Sequence, residues 1–539
     1  MSIVEKTKRF IRTKPARLTI NRDIQKMARA VAKNAPKPKD SKVVLSFNAS
    51  TRLSGMSLNA AFGLLTGWSL RLQGVRVVNA VCRRAMARCV LGTDKDDVYK
   101  MPPCQSCLQQ SSVFFNRSGV MWLDPIDCIP LAKTLKDTSL YKLINFHYEG
   151  LPLGELCLPS MRWILRRHHL QDDEATRVLY RYYILSAYKV AVQFIDLFSQ
   201  AHPDALLVFN GMQFPEATAR WVARQEGISV VSHEVGLRPL SAFFTLGDAT
   251  AYPVEISDDF QLTPEQNQRL DEYLSNRFKG NFSMAGVAFW PEMQGLSAEF
   301  LEKMGGFKQV VPIFTNVIFD TSQPHANVIF NNMFRWLDEV LAVIKAHPET
   351  LFVIRAHPDE SRPGKASRES VADWVLKNGV EALDNVIFFS PDEYFSSYEM
   401  INKAKFVMIY NSTIGLEASV MGAPVLCAGK ARFTQLKTVF FPSSKAAYLQ
   451  TLTDFLYAED VQALEEHREN ARRFLYYQFY RTSLPFDQFI EPDNVWAGYV
   501  KLKEFELQDL LPENSTTLRV ITEGLLEDKK FLLPEEYIS

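Results

Sequence analysis

The sequence predicts an α/β protein built from two doubly wound parallel sheets that face a cleft, with C-terminal helices crossing back over both. Three observations carry this. Strand–helix–strand patterns open the body at residues 42–82 and recur at 205–236. A regular β-α alternation fills residues 310–429. The predicted strands end in polar residues, and in open α/β sheets ligands bind at the carboxyl ends of the strands.

Bulk properties fit such a fold. The 539 residues exceed one ordinary domain, and the 47% hydrophobic and 23% charged content is that of a globular protein. The formal net charge is zero, so no overall field points to nucleic acid as a partner. No run approaches the roughly 18 apolar residues of a membrane span. The basic N-terminus lacks the apolar core and cleavage site of a secretory signal, and a cytoplasmic location is the default expectation. Seven cysteines, an odd number in a long chain, argue against a disulfide framework.

Residues 1–41 form a basic extension. Thirteen Lys or Arg and three acids lie in residues 1–42, with apolar residues scattered among them and Pro15 breaking the segment in two. It reads either as an amphipathic arm making peripheral contact with the inner face of an anionic membrane, or as a solvated extension. The first domain, 42–305, opens with the strand KVVLSF. A helical stretch, Gly74 as its stop and the strand VRVVNAV follow. Cys82, Cys89, Cys104 and Cys107 then cluster, the last two as a C-x2-C pair. Dense thiols in a reducing compartment suggest a structural zinc site, and the alternative is small buried core thiols.

Residues 115–200 read as largely helical and irregular. Apolar and aromatic positions recur at helical spacing from about Asp173 to Ser199, and the basic knot Arg166–His169 reads as solvated surface, with contact to an anionic acceptor as the alternative. The second strand–loop pattern predicts a strand at Ala205–Phe209, the turn Asn210–Gly211, a helix over Glu216–Gln225 and a strand ending at His233–Glu234. Asn210, Gly211, His233 and Glu234 should therefore line one cleft. Alternation along the strand lets only one of His233 and Glu234 face it, as a catalytic base. A polar helix, several glycines and the stretch VAFWPEM lead to Gly305–Gly306, the best boundary signal.

The second domain, 306–445, begins with a strand ending in Thr315 and Asn316. An amphipathic helix leads to the strand LFVIR, which delivers Arg355, His357 and Glu360. Glu360 is placed either to orient His357 or to cap the next turn. After two more strands, Asn411, Ser412 and Thr413 precede a helix that carries Gly415 and Glu417. Hydroxyls and unpaired backbone N–H groups at a helix start suit an anion, although an ordinary N-cap with a first-turn acid has the same pattern. Residues 446–539 form a helical, aromatic segment that packs back across the domains.

The motifs FTNVIFD (314–320), VIRAHPDE (353–360), SSYEMINKAKFVMIYNSTIGLEASVMGAPVLCAG (396–429) and RENARRFLYYQFYRTSLPF (468–486) resemble the bacterial capsule and surface-polysaccharide biosynthesis glycosyltransferases. The resemblance implies a GT-B fold, with a nucleotide-sugar donor in the C-terminal domain and a glycan or lipid-linked glycan acceptor in the N-terminal domain. It implies that His357 contacts the donor phosphate, as the His-Pro histidine does in transferases that use CMP-activated acidic sugars. It also implies that Glu417 bonds ribose hydroxyls, and that catalysis needs no metal cofactor. A nucleotide-sugar epimerase on the same architecture and a non-catalytic scaffold of polysaccharide assembly are the competing expectations.

Overall fold

The computed structural model describes residues 3–38, 42–49, 55–278, 294–493 and 498–538, with side chains from Arg17 onward. The stretch VAFWPEM lies outside them. Among the described residues, fourteen strands form the framework: β1 Val43–Phe47, β2 Arg76–Cys82, β3 Gly119–Leu123, β4 Ala205–Phe209, β5 Ser229–Val235, β6 Ser241–Leu246, β7 Gln309–Phe314, β8 Thr350–Arg355, β9 Val386–Phe389, β10 Val407–Ile409, β11 Val425–Cys427, β12 Leu484–Pro485, β13 Ile490–Pro492 and β14 Val500–Leu502.

The first sheet has the order β12-β6-β5-β4-β1-β2-β3 and the second β11-β10-β7-β8-β9. Strands β1 to β5 run parallel, as do all five strands of the second sheet. The chain leaves β1 in one direction through β2 and β3, then restarts at β4 and moves the other way. It does the same from β7 through β9 and then β10. Each sheet therefore has a topological switch point, β1/β4 in one and β7/β10 in the other, where two strand ends part and open a crevice. Nearly every residue of β1, β4, β7, β8 and β10 is buried, as expected for strands covered by helices on both faces. This is a GT-B-like arrangement of two Rossmann-like domains.

Three local features differ from the sequence expectation. The N-terminal segment is one helix, Ile3–Asn34, continuous through Pro15. Its second half docks on the first domain through buried Ile20, Ile24, Ala28 and Val31, one face at helical spacing. Strands β3 and β6 add to the first sheet where none was expected; β6 runs antiparallel to β5, which it follows through a short turn. The helix Pro264–Phe278 packs on the second domain, its buried Leu270 and Leu274 sharing a core with Val310, Leu351 and Ile401.

The terminal segment ties the domains together. The helix Lys445–Tyr457 covers the second sheet through Tyr448, Leu452 and Leu456. The helix Glu465–Tyr476 runs into a π-helical turn at Tyr477–Arg481, and β12 then pairs with β6 of the first sheet. Leu484, Phe486, Leu518 and Ile521 enter the first domain's core. Among the described residues, no helix is long and apolar enough to cross a membrane.

Candidate active-site cleft

The carboxyl ends of both sheets open onto one cavity of about 810 Å³, within the size range of small-molecule sites. The first domain contributes Trp163, Arg166, Gly236, Thr250 and Tyr252, and the second contributes residues that follow every one of its strands. Seven Lys or Arg (Arg166, Arg277, Arg355, Arg362, Lys365, Lys430 and Arg432) line it against three carboxylates, Asp320, Asp359 and Glu417. That excess suits an anionic ligand although the whole chain is neutral.

On the second-domain wall, Thr315, Asn316, Arg355, His357, Asn411, Ser412, Thr413 and Glu417 come together as expected. Asn316 and Asn411 flank the switch point, and Asn316 Nδ2 donates to Asn411 Oδ1 at 2.8 Å. The Thr315 hydroxyl is used internally, donating to Arg355 O at 2.9 Å. His357 caps the short turn after β8, its Nδ1 accepting the Asp359 backbone N–H at 3.1 Å. In the neutral imidazole that bond leaves the proton on Nε2. Burial holds the His357 pKa below the ordinary value, against the pull of Asp359 and Asp320. Arg355 is buried, its Nη1 has no hydrogen-bond partner, and burial lowers its pKa to about 10.

Three second-domain expectations change. Gly415 is a packing residue: a Cβ there would lie 2.2 Å from Ile409 Cδ1, so the helix Ile414–Val420 meets β10 only without a side chain. Glu360 lies away from the cavity wall and accepts the Val371 N–H at 3.1 Å, capping the helix Val371–Lys377. Burial raises its pKa to about 8. Glu417 faces the cleft, but both of its oxygens are engaged: Arg277 Nη2 donates to Oε1 at 2.5 Å and the Tyr398 hydroxyl to Oε2 at 2.5 Å. Any ribose hydroxyl would compete with those bonds.

The first-domain expectations change more. His233 is fully buried between Asn48 Oδ1 at 3.1 Å and Asn59 Oδ1 at 3.3 Å, with Phe62, Phe209 and Phe244 around it. Burial drives its pKa down to about 3. It is a neutral core residue and does not line the cavity. Asn210 and Gly211 also lie off the cavity wall. Asn210 takes a positive φ of 62° and uses its side chain on Glu234 Oε2 at 2.8 Å and on the Met212 and Gln213 N–H groups. Glu234 is half-buried and holds three donors, from Asn59, Asn210 and the Val235 N–H. Burial raises its pKa, against those bonds. The four residues thus come together as a structural knot behind the cleft.

The basic knot is solvated only in part, with His169 exposed. Arg166 and His168 are buried. The Arg166 guanidinium stacks 4.2 Å from the Trp163 ring and 5.0 Å from the Phe319 ring, across the domain interface. Tyr252, His325 and Arg432 also line the cleft and were not anticipated, and Asp248 pairs with His325 without lining it; their partners come from distant segments, so no local spacing marks them. Cys82, Cys89, Cys104 and Cys107 line one second cavity of about 40 Å³, all as free thiols. Among the described residues, no three His, Cys, Asp or Glu side chains stand where they could share a metal ion.

Two Rossmann-like sheets whose carboxyl ends share a cation-rich cleft define a two-domain α/β protein. Residues 308–436, within the second domain, match the model of the family described as capsule polysaccharide biosynthesis protein. A search among curated proteins returns no match. Among solved structures, the chain is similar to Thermosulfurimonas dismutans KpsC, beta Kdo 2,4 transferase, at 13% identity over 54% of this chain and 87% of that one, with a TM-score of 0.35. It is similar to the Thermosulfurimonas dismutans KpsC beta Kdo 2,7 transferase at 15% identity over 63% and 90%, with a TM-score of 0.29. It is also similar to UDP-GlcNAc 2-epimerase from Neisseria meningitidis at 12% identity over 80% and 98%, with a TM-score of 0.23. At these TM-scores the likenesses decide nothing about activity.

Proposed function

We propose that the protein is a glycosyltransferase that moves a sugar from a nucleotide-sugar donor to a capsule or other surface-polysaccharide acceptor. One observation carries the reading: the family match at 308–436 falls on the strand ends that wall the cleft, from Phe314 to Gln435. His357 Nε2 donates to the donor phosphate, and the Arg355 guanidinium offsets charge as the phosphate leaves. The exposed Thr413 and buried Ser412, both on the wall and neither with a side-chain hydrogen bond among the described residues, offer hydroxyls to the same group. Lys430 and Arg432 add positive charge after β11.

Thermal unfolding measured with CMP, UDP, GDP and dTDP tests this. One nucleotide should raise the midpoint, because a ligand that binds only the folded state stabilises it by mass action. No response to any of the four sinks the reading. Incubation of the responding nucleotide's sugars without acceptor should give no epimer. Chelation with EDTA should leave nucleotide release unchanged, since the cleft offers cationic side chains to the departing phosphate.

A further inference from the structure

The cleft holds two imidazoles, and hydrogen bonds at opposite ring nitrogens set the same Nε2-protonated tautomer in both. His357 spends Nδ1 on a backbone N–H, so its proton sits on Nε2. His325, on the short helix Gln323–Ala326 after β7, is bound at the other nitrogen. Its Nε2 lies 3.1 Å from Asp248 Oδ2 and 3.1 Å from Thr250 Oγ1. The Thr250 hydroxyl donates to Asp248 Oδ1 at 2.7 Å, and the Thr250 N–H donates to the same oxygen at 2.9 Å. With its proton committed to Asp248, the Thr250 oxygen meets His325 as an acceptor. Both neighbours therefore hold the His325 proton on Nε2 and leave a lone pair on Nδ1.

The surroundings keep Asp248 charged. Burial alone would raise the Asp248 carboxyl, but His325, Arg220 at 3.8 Å and Thr250 together bring it below the ordinary value, so it stays ionised. The Asp248 side chain is 11% exposed, whereas His325 is 31% exposed and lines the cleft. Among the described residues, Nδ1 has no hydrogen-bond partner. A carboxylate that orients an imidazole on the wall of a cleft, with the second ring nitrogen unbonded among the described residues, is the geometry of an activated base.

We infer that His325 is the residue that takes the proton from the attacking acceptor hydroxyl, with Asp248 and Thr250 as its positioning residues. The inference rests on the glycosyl-transfer reading above. The acceptor O–H bond breaks and its proton moves to His325 Nδ1. The acceptor oxygen forms the new bond to the anomeric carbon. The bond from that carbon to the phosphate oxygen breaks, and its electron pair leaves with the nucleotide. Asp248 offsets the charge of the imidazolium, which returns the proton to water after product departs. His325 belongs to the second domain and Asp248 and Thr250 to the first, so the base is oriented only while the two domains are closed on each other. That couples proton removal to the state in which the cleft is shielded from water.

The test uses the full chain. Nucleotide stabilisation of the wild type is measured first. Release of free nucleotide from CMP-, UDP-, GDP- and dTDP-linked sugars is then measured, with membranes of the native host as acceptor. His325→Ala should lower turnover by about 10²–10⁴-fold, keep the nucleotide-induced shift and the donor KM, and regain turnover when imidazole is added. Asp248→Asn should lower kcat on the order of tenfold or more at unchanged donor KM. Wild-type turnover in His325→Gln, with the nucleotide shift intact, overturns the inference alone and leaves His325–Asp248 a domain contact. Absence of any nucleotide shift in the wild type overturns the glycosyl-transfer reading and this inference with it.

Discussion

His233 is neutral in the folded protein because it is fully buried among three aromatic rings, where the charged imidazolium would lose its solvation. Its folded pKa, about 3, lies below the unfolded value of roughly 6.5. The stability it contributes is therefore full above that unfolded value and is lost as pH falls towards 3, and buried His168, also lowered to about 3, acts in the same sense. His233→Ala should cost on the order of 2–4 kcal/mol in urea unfolding at pH 7, from the cavity and the two unpaired amides. It should also make the acid loss of stability shallower. Glu360 has the opposite sign. Its carboxyl is raised to about 8, so its contribution is full below the ordinary carboxylate range and falls as pH rises through 8. The thermal midpoint of Glu360→Gln should gain on the wild type between about pH 5 and pH 9. At the cleft, His357→Ala should abolish most of the nucleotide-induced shift in midpoint while leaving the ligand-free midpoint within about 2 °C, since half-exposed sites contribute little to stability.

The strand ends were legible because a run of apolar residues closed by polar ones is a local pattern, and β4, β5, β7, β8 and β10 all begin or end within a few residues of where it places them. What each polar group does was not legible. Gly415 stands in a helix start that reads as an anion site, yet its role is to let that helix approach Ile409. Gly415→Ala should cost about 1–3 kcal/mol through overpacking, and shortening Ile409 to Val should recover part of it. The N-terminal helix shows the same limit. Pro15 normally breaks a helix, but the segment after it is fixed by Ile20, Ile24, Ala28 and Val31 against the core that contains Trp68. Tertiary docking outweighs the local cost. Ile24→Asp should lower the midpoint markedly in thermal unfolding, because it buries an unpaired charge in that core. Arg277 and Glu417, 140 residues apart, form a nearly buried pair that fastens the helix Pro264–Phe278 to the second domain. No spacing rule connects them.

Across the whole molecule, the domains are held by side chains at one seam and by the chain itself at another. His169 and Glu369, Arg368 and Asp96, and His325 and Asp248 pair from one domain to the other. The terminal segment covers the second sheet and then completes the first by adding β12 beside β6. A chain ended at residue 445 should therefore lose cooperative unfolding of both domains, followed by circular dichroism. Its first domain lacks the β12 edge and the buried Leu484, Phe486, Leu518 and Ile521. A cooperative transition with a wild-type midpoint would refute that dependence.

The sequence by itself determined the strand and helix periodicity, the polar strand ends and the His-Pro turn, because each follows from local pattern. Only the tertiary structure decided which polar groups reach the cleft. His233 and Glu234 point to a buried knot, Glu360 to a helix cap and Glu417 to Arg277, whereas His325 meets Asp248 across the domains. The physical reason is that a side chain's role is set by the partners that remove it from water, and here those partners come from segments far apart in the chain.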